Sequence, residues 1–156
     1  MTNKTRLIAL ALSLLCITSG SAQKRINVNN LPKPAQTFLT KHFDNVKVLR
    51  VEKDTDDGKT AYEVNLKGNI EVDFDNKGNW EEVSGKVPAA IIPAQITKSV
   101  KNDYNDKRIV KIERERNGGY EIELANGLDI TYDKNFKVVK VDKYTSHITQ
   151  HPVRLH

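Results

Sequence analysis

Tyr62-Glu63-Val64-Asn65-Leu66 is matched 58 positions later by Tyr120-Glu121-Ile122-Glu123-Leu124. Both stretches alternate apolar and polar residues, the period of a strand that buries one face. The same offset pairs Ile70, Val72 and Phe74 with Leu128, Ile130 and Tyr132, and Asp75 with Asp133. It also pairs Trp80 with Val138 and Val83 with Val141. Upstream the offset becomes 61, because the second copy's first hairpin is three residues shorter. There Leu31-Pro32 matches Ile92-Pro93, Leu39 matches Val100, Phe43 matches Tyr104, and Leu49-x-Val51-Glu52-Lys53 matches Val110-x-Ile112-Glu113-Arg114. Register kept over so many positions predicts an internal duplication, with repeats at 26–85 and 87–142.

Each repeat reads as a helix followed by four strands. Pro32 and Pro34 suit a first helical turn, where a missing N–H costs nothing. Ala35, Phe38, Leu39 and Phe43 then mark one buried helix face, and Ile96, Val100 and Tyr104 mark its counterpart. Asp44-Asn45 and Asn105-Asp106 end the two helices. The strands centre on Leu49/Val51, Tyr62/Val64/Leu66, Ile70/Val72/Phe74 and Trp80–Val83, then on Val110/Ile112, Tyr120/Ile122/Leu124, Leu128/Ile130/Tyr132 and Val139/Val141. Tight turns such as Gly68-Asn69 and Asp75–Asn79 join them into antiparallel meanders. The expected fold is α+β, with one helical layer on one sheet face. A repeat of roughly 55–60 residues is marginal alone, so the two should share a surface or form one continuous eight-stranded sheet.

The uncovered face carries Glu63, Asn65, Lys67, Glu71 and Asp73, then Glu121, Glu123, Asp129 and Thr131. Trp80 and Glu82 join it if the last strand keeps register with an inward Val83. A single-residue bulge would instead turn Trp80 toward the core.

Lys4 and Arg6 precede an apolar run from Leu7 to Ile17, and Gly20-Ser21-Ala22 supplies small residues before a cleavage point. Residues 1–22 therefore read as a secretory signal peptide, and the mature chain as a periplasmic or otherwise exported protein. Lipoprotein tethering through Cys16, the only cysteine, is disfavoured by Leu15 immediately before it. Cleavage at Ala22 leaves a chain without disulfide or thiolate chemistry. No later segment is apolar for long enough to span a bilayer. The net charge of +5 is spread over interleaved signs, as in Glu113-Arg114-Glu115-Arg116, which argues against nucleic acid as partner. Residues 143–156 match nothing in the first copy and read as a loose tail or a short added strand.

Catalytic chemistry finds no foothold. No Gly-x-Ser-x-Gly elbow exists, and three of the four histidines lie in the tail. His42, near a helix end, suits a partly charged imidazole there. His147 and His151 lack a third metal ligand, and Asp54, Asp56 and Asp57 lack the spacing and closing glutamate of a calcium loop. The carboxylate pairs Glu71/Asp73 and Glu121/Glu123 read as a wet sheet face rather than an acid–base pair. The expectation is a protein that is not an enzyme and holds no cofactor and no metal.

The proline-led helices, the Lys/Arg-x-Glu strand, the Tyr-Glu-Val/Ile-x-Leu strand and the Asp-x-x-Gly/Phe turn resemble the PepSY-like proteins. More narrowly, they resemble the β-lactamase-inhibitor-like, PepSY-like group of exported Bacteroidetes proteins, over Leu31 to Asp142. The resemblance implies tandem helix-plus-four-strand units at the cell envelope, no cofactor, and a role in binding or restraining peptidases. The inhibitor in the group's label binds its enzyme across a concave sheet and carries disulfides. Its contact loops have no residue-by-residue match here, so no inhibitory residue is carried over. The leading expectation is a module that binds a protein or peptide partner. Trp80, Lys67, Glu82 and the Asp54–Lys59 turn, with Asp56, Asp57 and Lys59, are its candidate contacts. The alternative is a structural envelope protein that self-associates, as a homodimer through an edge strand.

Overall fold

The structure is a computed structural model that describes residues 24–56 and 59–143. Residues 1–23, 57–58 and 144–156, which hold the expected signal peptide, Asp57 and the expected C-terminal tail, lie outside the described residues. Among the described residues two α-helices, α1 (Lys33–Phe43) and α2 (Ala94–Asp103), accompany nine strands. The strands are β1 (Lys24–Arg25), β2 (Val48–Asp56), β3 (Lys59–Leu66), β4 (Ile70–Phe74), β5 (Trp80–Ser84), β6 (Ile109–Arg114), β7 (Tyr120–Leu124), β8 (Leu128–Tyr132) and β9 (Val138–Lys143). They form one antiparallel sheet in sequence order. The join between the two helix-plus-four-strand sets is the β5–β6 ladder, which places Glu82 opposite Glu113, Val83 opposite Ile112 and Ser84 opposite Lys111. The sheet is continuous, with one strand more than expected. β1 is only two residues long, too short to show any periodicity, and it pairs with Glu52 and Lys53 of β2.

Pro32 and Pro93 stand as N-caps of α1 and α2, where the absent N–H leaves no helical bond unmade. Ala35, Leu39 and Phe43 of α1, and Ile96 and Val100 of α2, are buried. They join Val64, Leu66, Val72, Phe74, Ile112, Ile122 and Ile130 in one apolar cluster spanning both sets. Each Val, Leu, Ile or Phe among them contributes roughly 1.5–3 kcal/mol when fully buried, and the helices would be marginal without that burial.

Two sequence expectations change, and one open alternative is decided. Leu49 is exposed rather than inward, because β2 carries a bulge there: Val48 faces Leu66 and Arg50 faces Asn65. A second bulge sets Phe74 opposite Trp80 while Asp73 stays opposite Glu82, so Glu81 is the extra residue and Trp80 turns to the helix side. The alternative with a bulge is therefore the one the chain adopts. Val141, expected inward like Val83, is 45% exposed where Val83 is 0% exposed. Val83 has a neighbouring strand on both sides, and among the described residues Val141 has only β8 beside it.

Candidate functional site

Both helices cover one face of the sheet, and the opposite face is built from two rows of side chains running across the strands. Strand registers place Glu52, Glu63, Asp73, Glu82, Glu113 and Glu121 side by side on β2 to β7. Neighbouring strands lie about 4.7–4.9 Å apart, so six carboxylates form a ridge perpendicular to the chain direction. Arg50, Asn65, Glu71, Ser84, Lys111 and Glu123 make the parallel row. Like charges directly opposite each other destabilise a sheet, and this ridge needs compensation.

The second row supplies it at two points. Arg50 contacts Glu52 at 3.3 Å and Glu63 at 3.6 Å. Lys111, at the position that the 61-residue offset pairs with Arg50, contacts Glu82 at 3.0 Å and Glu113 at 3.4 Å. Burial opposes the charge on Lys111, but hydrogen bonding and attraction from Glu82 and Glu113 hold its pKa above the usual lysine value. Asp73 stands between these two clamps. Among the described residues no cation pairs with it, and its Oδ1 is buried without a hydrogen-bond partner. Burial, and then repulsion from Glu71, Glu82, Glu63 and Glu81, push its pKa up to about 7. Glu71 is raised as well, by burial first and then by Glu63 and Glu82. A depression of about 210 Å³ opens here, lined by Glu52, Asp54, Ala61, Tyr62, Glu63, Asp73 and Glu81. That volume suits one side-chain head group, below the size usual for a small-molecule pocket.

The residues singled out from the sequence do not converge. Glu82 lies in the ridge. Lys67 follows β3, exposed, and its backbone N–H donates to Lys47 O at 2.8 Å. Asp56 and Lys59 pair at the far end of the β2–β3 hairpin. Trp80 is half-buried on the other face, stacked on Phe38 at 6.0 Å, with the Arg114 guanidinium 5.2 Å from its ring centre. It is a packing residue at the margin of α1 and not part of the open face. His42 also departs from expectation: burial, and then the charge of Lys41, hold its pKa below the usual histidine value, and its ring lies 4.7 Å from that of Phe38. Asp73 was legible only as one of several polar-face acids. The signal that distinguishes it is internal to the sequence, since the 58-residue offset pairs it with Thr131 rather than with another acid. Among the described residues, no three His, Cys, Asp or Glu side chains are placed to hold a metal ion, and no helix is long and apolar enough to cross a membrane.

Comparison with known proteins agrees with this architecture. The model of the family described as "Putative beta-lactamase-inhibitor-like, PepSY-like" matches residues 19–69 and 60–140. A putative periplasmic protein of the DUF2874 family from Bacteroides vulgatus is 40% identical, with a TM-score of 0.73 over 78% of this chain and 97% of its own. A protein from Bacteroides thetaiotaomicron, described as a putative calcium-regulated periplasmic protein, is 40% identical, with a TM-score of 0.74 over 78% and 97% of the two chains. A second Bacteroides vulgatus protein, described as putative periplasmic and of unknown function, is 38% identical, with a TM-score of 0.72 over 80% and 100%. No curated protein matches the chain. With an open acidic sheet face, helices on the other side and family matches covering most of its length, the chain belongs to the β-lactamase-inhibitor-like, PepSY-like family.

Proposed function

We propose that this is a non-enzymatic periplasmic module that binds a protein or peptide partner on its open sheet face, with residues 1–22 removed on export. The observation that carries the reading is Asp73, a carboxyl held in a six-acid ridge with neither a cation nor a hydrogen-bond donor on its buried oxygen. A carboxyl with one oxygen buried and unbonded is costly to keep, and a Lys or Arg side chain of a partner seated in the adjoining depression would relieve that cost. The chain as a whole is basic at +5, yet this face is predominantly acidic, so the matching surface is a basic one. An envelope peptidase or hydrolase presenting a basic loop fits the family's implied role.

The test is capture of envelope proteins on the exported chain at pH 8, repeated with Asp73→Thr, followed by titration of a Lys- and Arg-rich peptide. Binding should weaken by about tenfold in the variant, the loss of one charge-assisted contact. It should strengthen from pH 6 to pH 8 as Asp73 ionises. Equal retention by both proteins, or no retained partner, would sink the reading.

A divalent cation is the second reading. The Bacteroides thetaiotaomicron relative, 40% identical, is described as calcium-regulated, and Asp73 is the ridge acid whose buried oxygen lacks a hydrogen-bond partner. Calorimetry with calcium alone separates the two: heat lost in Asp73→Thr favours the ion, and none removes it.

A further inference from the structure

We propose that the outer edge of β9, which no other described strand covers, pairs, antiparallel and centred on Val141, with β9 of a second copy, so that one sheet runs through both chains. The two edges of this sheet are built differently. At one end β1 is a two-residue strand, Lys24–Arg25, laid across β2 at Glu52 and Lys53. A short, charged strand is a normal way to blunt an edge. At the other end β9 runs for six residues without proline, and two of its valines are exposed: Val139 at 59% and Val141 at 45%. They are two of the three exposed large apolar side chains among the described residues, the third being Leu49.

Charge selects the occupant. Lys140 and Asp142 form an ion pair on the open face of β9. Centring the pairing on Val141 sets Lys140 of each copy opposite Asp142 of the other, twice by symmetry, with Val141 against Val141 on the helix side. Centring on Lys140 or on Asp142 would oppose like charges. Val83, which the 58-residue offset pairs with Val141, already shows the outcome within one chain: there β6 takes the edge, Ile112 lies opposite, and Val83 is fully buried. Head-to-tail growth is blocked because β1 caps part of β2, so the pairing closes as a two-fold dimer.

The test follows the exported chain by analytical ultracentrifugation from micromolar concentration to about 1 mM. The wild type should dimerise with rising concentration. K140E alone and D142K alone should each dimerise about tenfold more weakly, since each opposes two like-charge pairs. A mixture of the two variants should form a heterodimer, because both opposed pairs regain opposite charge. Lys140 and Asp142 are well exposed, so the substitutions leave the fold intact. A wild type that stays monomeric throughout, or single variants that associate as the wild type does, would overturn the proposal. Hydrogen exchange adds a second readout. Protection of the β9 amides facing away from β8 should rise with concentration. Protection independent of concentration places another part of the same chain on that edge, and equally overturns it.

Discussion

The two helix-plus-four-strand sets share a plan and differ at a few matched positions, and those differences are where the molecule is informative. On the open face, Thr131 in the second set donates to Glu121 at 3.3 Å. At the matched position the first set has Asp73, which adds a charge to a crowded ridge and leaves Oδ1 unbonded. Threonine is the comfortable solution at this site, and the chain uses it once. On the covered face, the β4–β5 turn has Gly78, φ +84°, where the β8–β9 turn has Phe136, φ 60°. A Cβ at Gly78 would lie 2.7 Å from Pro32 Cβ and 2.9 Å from Ala35 N, so α1 sits directly on its turn. α2 presents Ile96 where α1 presents Ala35, and Phe136 stacks on Tyr120 at 5.9 Å instead. The first set is the more tightly coupled between helix and turn, and the more strained on its exposed face.

Four substitutions would break or sharpen that contrast. Gly78→Ala should have the largest effect. It meets both an unfavourable positive φ and backbone contact, and we expect a loss of more than about 3 kcal/mol in urea unfolding. A smaller loss would mean that α1 can shift away from its turn.

Asp73→Thr should act in the opposite direction. Burial and the neighbouring acids push the folded carboxyl up to about 7, well above the ordinary aspartate value of about 3.9, so the native state holds its proton more tightly than the unfolded chain does. The associated stability is full below about pH 4 and is lost as pH rises through about 7, by at most about 4 kcal/mol. The variant should therefore melt higher than the wild type at pH 8, with the gap closing toward pH 4. Melting curves with a gap independent of pH would remove the special status of Asp73.

Trp80→Ala should cost about 2 kcal/mol, because a half-buried ring packed between Phe38 and Arg114 is lost. The partner binding proposed for the open face should be unchanged, and a lost partner with the fold intact would return Trp80 to the contact surface. Phe136→Gly should have the smallest effect, within about 1 kcal/mol. Relief of a positive φ at a bulky residue offsets the loss of the Tyr120 stack, and thermal melts measure the balance.

The turns themselves are more alike than the sets they close. Asp75 accepts from the backbone N–H groups of Lys77 and Asn79 at 2.8 Å each, and from the Asn79 side chain. Partial burial works against its charge, but these hydrogen bonds outweigh it and hold its pKa below the usual carboxylate value. Asp133 makes the same backbone pair with Asn135 and Lys137. The recurring Asp of the two sets is thus a turn-closing residue, as its place between alternating segments implied.

Alternation over Tyr62–Leu66 and Tyr120–Leu124, helical spacing behind Pro32 and Pro93, and turn residues between them were enough to determine both helices, eight strands and the side of the sheet that is buried. These are local signals: a strand face or a helix stripe is written in residues a few positions apart. Tertiary structure decided what depends on residues far apart in the chain. A bulge at Glu81 moved Trp80 to the helix side, because one unpaired residue reverses every side chain beyond it. The β5–β6 ladder made the sheet continuous and thereby buried Val83 while leaving Val141 at an edge. The ridge from Glu52 to Glu121, with Asp73 unpaired between Arg50 and Lys111, exists only once six strands are in register, for electrostatic neighbours across a sheet are set by pairing and not by sequence distance.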